Sequence, residues 1–309
     1  MSTTAAVAVS PAQDTQEAAY YNQHGYVVLP GLVSEAKIDR LMDLYRRDIL
    51  PSDSKFFRQS TNAYETNRIN EHGYVAQSFL DVHAYKSFPE FREAVMEIYF
   101  APEVLEALTR ITGSARHNLM QSMLFDLNAA TPPHQDWWYL DSVPNGHLLA
   151  AWIALEDIDE RAGRFYVMPG SQTVNLHEAE LPHSKWLERM ADYVEKHRSE
   201  LHAPAMKKGD VMFWNSRTVH GSLHTIDPRF SRKSLTAHYL PSEMTYGNLF
   251  ASKPWVKYED WKGQQYFANQ PEYSLKADLA SRVKVSIYDN PTLLKVARKF
   301  QKKALSDLK

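Results

Sequence analysis

Two textures of apolar and polar positions divide this chain. In the first part, apolar residues recur at helical spacing. From Thr15 to Leu50 a helix-like stretch, a short apolar run Tyr26-Val27-Val28-Leu29-Pro30 and a second periodic segment beginning at Ser34 follow one another. Ser34 suits an N-cap, although Lys37 at the third position leaves the capping box half formed. Residues 51–75 are polar and turn-rich. The run from Phe88 to Thr112 reads as two helices broken at Ala101-Pro102, because proline removes a helical N–H and clashes with the preceding turn.

From Asn118 the texture changes to short runs rich in aromatic and β-branched residues, separated by Pro, Gly, Asn and Asp. They cover 118–127, 147–156, 164–168, 210–214, 218–224 and 233–240. Short strands at such spacing predict a sandwich or barrel. The expected fold is mainly β with helical flanks around a jelly-roll core. A helical insertion within 173–203 interrupts the series, since Leu181 to His202 sets Trp186, Leu187, Met190 and Val194 on one face; it reads as a surface helix covering the barrel or as a lid over substrate. Aromatic-rich loops follow Leu240, and a basic helix is expected from Asn290, with Pro291 in its first turn. Its apolar members Leu294, Ala297, Phe300 and Leu308 would dock on the domain or on a second copy, as in a homodimer.

The resulting organisation is a disordered tail over 1–14 and one domain over 15–309. That domain has a helical flank (15–117), the β core (118–240) and an extension (241–309). A length of 309 residues fits one large jelly-roll with helical additions. The small, polar tail lacks the basic start and apolar core of a secretory signal, which predicts a cytoplasmic protein. No stretch approaches the roughly 18 apolar residues that span a bilayer.

With 35 basic against 37 acidic residues the chain carries a formal charge of -2. There is no global field to gather nucleic acid or an anionic membrane. The chain contains no cysteine, which removes disulfides, thiolate metal sites and cysteine nucleophiles, and leaves His, Asp and Glu as strong ligands for a hard or borderline metal.

Such ligands stand together in Thr131 to Asp136. His134 and Asp136 are two positions apart, so on an extended segment both side chains leave one face. A His-x-Asp pair can equally be a surface hydrogen bond. His220, after a strand-like run and before a glycine, supplies a third candidate. Two histidines and a carboxylate on one face of an octahedron leave three open positions, the arrangement used for non-haem Fe(II) oxygen chemistry. Arg232 opens the next strand-like run. A guanidinium there suits the far carboxylate of 2-oxoglutarate, which chelates iron through its other end. Ser222 shares the His220 face and can donate to the same carboxylate.

These residues resemble the phytanoyl-CoA dioxygenase family of iron and 2-oxoglutarate oxygenases through four ordered blocks. They are Gln121-Ser122-Met123, His134-Gln135-Asp136, the run Phe165 to Ser171, and His220-Gly221-Ser222 with the Arg232-Lys233 strand behind it. The resemblance covers about Tyr26 to Leu240. It implies a double-stranded β-helix, or cupin-like, core, with His134, Asp136 and His220 as Fe(II) ligands. It also implies Arg232 and Ser222 at the distal carboxylate, and Met123, Trp152 and Gln121 in the cosubstrate pocket. Read without the family, Met123 and Trp152 are ordinary core. The interval from His220 to Arg232 looks one residue longer than usual, which keeps Arg229 as a weaker clamp candidate.

The implied reaction consumes 2-oxoglutarate and O2, releases succinate and CO2, and hydroxylates a C–H bond. Asp136 stands where related halogenases carry a small residue, so hydroxylation is expected over chlorination. Desaturation, epimerisation, ring formation or hydroxylation of an acyl-CoA would use the same ligands. A non-catalytic jelly-roll module and a zinc hydrolase are readings of other classes, but neither explains Arg232 with Ser222. Trp137, Trp138 and Arg217 are the candidate substrate contacts. With no concentrated basic patch for a CoA phosphate, the expected substrate is a free small molecule, such as a secondary metabolite.

Overall fold

Between Ser234 and Pro241 polar and apolar residues alternate, and each set finds its own layer. In the computed structural model, which describes residues 15–178 and 181–289, this strand is buried along its whole length. Leu235, Ala237 and Tyr239 face a core formed with the helical flank. Ser234, Thr236 and His238 face the other way, into the jelly-roll interior, as the period of two requires. The tail 1–14 and the helix expected from Asn290 lie outside the described residues.

The strands in chain order are β1 (Tyr26–Leu29), β2 (Phe56–Arg58), β3 (Ala63–Glu65), β4 (Phe79–Leu80), β5 (His117–Phe125), β6 (Asp141–Val143) and β7 (Leu149–Ala154). Then come β8 (Phe165–Val167), β9 (Val211–Asn215), β10 (His220–Ser222), β11 (Ser234–Pro241), β12 (Thr245–Gly247), β13 (Glu259–Trp261) and β14 (Gln264–Tyr266). The large sheet has eight strands in the order β1-β9-β7-β11-β5-β14-β13, with β4 also on β5. Thus it takes in segments outside 118–240, and residues 51–75, read as turns, contain the β2–β3 hairpin. The β8–β10 pair faces the large sheet as the second layer of the jelly-roll.

Three helices back the sheet: α2 (Glu35–Leu44), α3 (Pro89–Tyr99) and α4 (Pro102–Thr112), preceded by α1 (Gln16–His24). Ser34 precedes α2 but makes no side-chain capping bond. Proline begins both α3 and α4, where its missing N–H costs nothing. Ile38, Leu41, Phe91, Val95 and Leu108 from these helices meet Leu119, Ile153, Leu235 and Ala237 of the sheet. The Tyr239 hydroxyl donates to the Tyr99 carbonyl at 2.7 Å, and the Tyr99 hydroxyl donates to the Thr236 carbonyl at 3.0 Å. These bonds fix the height of α3 against β11, and hence the frame on which the inner face of β11 is held.

The insertion forms α5 (His183–Lys196), whose Trp186 and Met190 are buried against Tyr166, Met168 and Val219. After β14 the chain forms α6 (Leu275–Asp289). Among the described residues no helix is long and apolar enough to cross a membrane.

Candidate metal centre and cosubstrate cavity

His134 and His220 meet because their backbones pair directly. The His134 amide donates to the His220 carbonyl and the His220 amide to the His134 carbonyl, each at 3.0 Å. Two residues further on, Asp136 enters a short 3-10 turn, Asp136–Trp138, with the Trp137 amide donating to the Ser216 carbonyl at 3.0 Å. Asp136 Oδ1 stands 3.6 Å from His134 Nε2 and 3.5 Å from His220 Nε2. Among the described residues these three form a cluster whose ligand atoms lie within 4.8 Å of one another.

The ring nitrogens facing away from the cluster are also held. His134 Nδ1 lies 2.9 Å from the Pro132 carbonyl and His220 Nδ1 lies 2.9 Å from the Thr218 carbonyl. A carbonyl only accepts, so each Nδ1 carries a proton, and each Nε2 is the nitrogen turned to the centre and available to ligate a metal. Burial, and secondarily His220, lower the His134 pKa. Burial alone would raise the Asp136 carboxyl, but the surrounding imidazoles of His220, His238 and His134 outweigh it and hold the group well below the ordinary range. An ionised carboxylate and neutral imidazole nitrogens form the donor set of a borderline divalent metal such as iron.

Beside this centre lies a buried polar surface in which several side-chain atoms have no hydrogen-bond partner. Arg232 is 2% exposed; its Nη1 donates to the Gly163 carbonyl at 3.2 Å, and its Nε has no partner. Burial pushes its pKa down to about 10. Ser222 Oγ, Ser234 Oγ and Thr236 Oγ1 are buried and equally unpartnered. Unsatisfied buried polar groups are costly, so their concentration in the interior between the two layers fits a carboxylate ligand. The Gly163 contact brings the guanidinium to the start of β8, where Phe165 pairs with Ser222. Glycine is required at 163: its φ is +79° and a Cβ would lie 2.6 Å from the Leu223 carbonyl oxygen.

Met123 and Trp152 both lie opposite Thr236 in the sheet, and Gln121 lies opposite His238. All three therefore share the inner face of the large sheet with Thr236 and His238, and Trp152 stacks across the interior on Phe165, the β8 partner of Ser222, at 6.0 Å. Arg229 does not join them. It is exposed and holds Asp227 through Nε at 2.9 Å and Nη2 at 2.6 Å, so the weaker clamp candidate is corrected to a surface ion pair.

The substrate candidates separate. The Trp137 indole N–H donates to Gln135 Oε1 at 2.9 Å, and the Arg217 guanidinium lies 4.8 Å from the Trp137 ring centre. Both are thus engaged by the chain on the Gln135 side, opposite in parity to His134 and Asp136. Trp138 stacks on Trp186 of α5 at 4.6 Å. Residues not singled out from the sequence complete the surroundings. Tyr139 lies 6.1 Å from His134 between ring centres, and its hydroxyl meets His183 Nε2 at 2.7 Å. Trp214 and His238 contact Asp136; His238 has the same parity on β11 as Ser234 and Thr236, a signal available in the sequence.

A jelly-roll with this centre inside defines a class, the 2-oxoglutarate-dependent non-haem iron oxygenases. Comparison with known proteins agrees and narrows it. The model of the phytanoyl-CoA dioxygenase family matches residues 21–232, and the chain belongs to that family. The peroxisomal phytanoyl-CoA dioxygenase of Bos taurus is 27% identical over 244 residues, covering 74% of this chain and 68% of the bovine protein; the Homo sapiens protein is 26% identical over 242 residues, with the same shares. Among solved structures, EctD from S. alaskensis with 2-oxoglutarate and 5-hydroxyectoine superposes with a TM-score of 0.58 at 19% identity, over 84% of this chain and 85% of that one. The epimerase SnoN in complex with Fe3+, alpha ketoglutarate and nogalamycin RO gives 0.56 at 18% identity, over 76% and 86%.

Proposed function

We propose that this chain hydroxylates an unactivated C–H bond of a free small molecule, with His134, Asp136 and His220 as iron ligands and Arg232 with Ser222 as the clamp for 2-oxoglutarate. The observation that carries the proposal is the pairing of a carboxylate and two correctly turned imidazoles with a buried arginine whose Nε has no partner and whose Nη1 meets only the Gly163 carbonyl. Bound there, iron and 2-oxoglutarate would supply the oxidising power to break a C–H bond, with succinate and CO2 as by-products and O2 as the oxidant.

The chain itself does the holding and the shielding. His134 and His220 would present Nε2 to the metal in fixed orientation, because their Nδ1 atoms are tied to carbonyls. Arg232 offers a fork to a carboxylate, and Ser222 a hydroxyl beside it. Trp152, Phe165 and Trp214 line the interior and exclude water, which strengthens every polar contact inside. His134, with a side chain 15% exposed, is the most open of the three ligand residues. Substrate is proposed to arrive past it, against Tyr139, His183 and Trp138.

One feature favours a free small molecule over an acyl-CoA. On α5, Lys185 is paired with Glu188 at 2.7 Å and Arg189 with Glu178 at 3.0 Å, so these two cations offer little to a polyphosphate. The names of the curated relatives favour the acyl-CoA as the second reading. Desaturation, epimerisation or ring formation would use the same residues. A panel of free metabolites and acyl-CoA thioesters, assayed for stimulated succinate release, tests the choice: stimulation by a free molecule is expected, and stimulation by thioesters alone would move the assignment to them.

A further inference from the structure

The two oxygens of Asp136 have different company. Oδ1 faces His134 and His220. Oδ2 accepts a hydrogen bond from the Trp214 indole N–H at 2.8 Å, and His238 Nε2 stands 3.4 Å from the same oxygen. His238 is 2% exposed, and neither ring nitrogen has a hydrogen-bond partner. Ala150 of β7 lies opposite Trp214 on one side and opposite His238 on the other, so the sheet register sets the two side chains on one face around the carboxylate.

We propose that Trp214 and His238 are positioning residues that hold Asp136 Oδ2 away from the metal, so that the carboxylate binds through Oδ1 alone. The proposal rests on the iron and 2-oxoglutarate reading above. An octahedral ion with three protein ligand atoms keeps three positions open. A carboxylate chelating through both oxygens would occupy a fourth, and the two remaining positions would be filled by a chelating 2-oxo acid, with none left for O2. Trp214 is suited to prevent this because an indole N–H only donates: it can restrain an oxygen without ligating the metal. His238 is not a member of the cluster with mutual separations within 4.8 Å and stands against the far oxygen at 3.4 Å, which makes it a second restraint rather than a fourth ligand.

The test is an anaerobic titration of Fe(II) into the apoprotein, followed by 2-oxoglutarate, reading Fe(II) affinity and the visible charge-transfer absorption of the chelate. Trp214→Phe and His238→Leu are each expected to weaken Fe(II) binding roughly 10- to 100-fold, the range typical of lost outer-shell partners, and to shift or weaken the absorption. His238→Gln, which keeps an N–H within reach of Oδ2, is expected to recover most of the affinity. Melting curves of the apoproteins identify any variant that merely unfolds; if Trp214→Phe does so, the Leu and Gln variants at 238 decide. Wild-type affinity and absorption in both donor-less variants, or equal losses with Leu and Gln, would overturn the proposal. Absence of the absorption from the wild-type protein would instead overturn the functional reading, and this inference with it.

Discussion

Arg232→Met separates what the folded chain needs from what its cosubstrate needs. In the protein alone the guanidinium is buried with one carbonyl partner and a bare Nε. An apolar side chain of similar length relieves that desolvation, so the apoprotein is expected to melt no lower than wild type and to gain stability. The bound carboxylate, however, would lose a buried charge-assisted partner, worth about 2–4 kcal/mol, or roughly 30- to 1,000-fold in affinity. Thermal unfolding with Mn(II), which does not turn over, reads both effects. At a 2-oxoglutarate concentration of about 100 times its wild-type dissociation constant, the stabilisation is about 2.7 kcal/mol, or roughly 4 °C for a chain of this size. In Arg232→Met it should shrink below about 1 kcal/mol. Arg229→Met, which breaks only the surface pair with Asp227, should keep the full shift. A full cosubstrate shift in Arg232→Met, or its loss in Arg229→Met, would refute the clamp.

Asp136→Ala, His134→Ala and His220→Ala should each abolish succinate release and metal uptake while leaving the circular dichroism spectrum unchanged; full turnover in Asp136→Ala would remove the triad from consideration. Trp186 is fully buried, so Trp186→Ala should destabilise the protein by about 3–5 kcal/mol in chemical denaturation, whereas a lid residue would alter substrate affinity without that cost. Tyr139→Phe and His183→Ala should leave Fe(II) and 2-oxoglutarate binding nearly intact but change the ratio of product to succinate, and an unchanged ratio would take this pair out of the substrate path. His83 is buried between the Ser122 hydroxyl at 2.6 Å and the Phe267 carbonyl at 3.1 Å, and burial pushes its pKa from 6.5 down to about 3. Its folded value lies below the unfolded one, so the unfolded chain takes the proton first and stability is lost as pH falls from about 6.5 towards 3; the melting temperature of His83→Gln should fall less steeply over that window than wild type.

Much of this site was open to reading along the chain. The two-residue spacing of His134 and Asp136, and the alternation that places Arg232, Ser234, Thr236 and His238 on one side of a strand, are properties of local backbone geometry. A sandwich or barrel followed from the short strand-like runs, and the break at Ala101-Pro102 separated α3 from α4 because proline acts on its own turn. Hidden from that reading were choices made between segments far apart in sequence. Arg229 and Arg232 are both arginines near one strand, and only the folded chain turns one to Asp227 and the other to Gly163. Trp214 and Trp137 are both aromatics near metal ligands, yet one donates to Asp136 and the other to Gln135. Periodicity is a one-dimensional property that fixes the face a residue occupies; which groups meet across that face depends on strand register and on how the two sheets close, and those are set by the summed packing of the whole core.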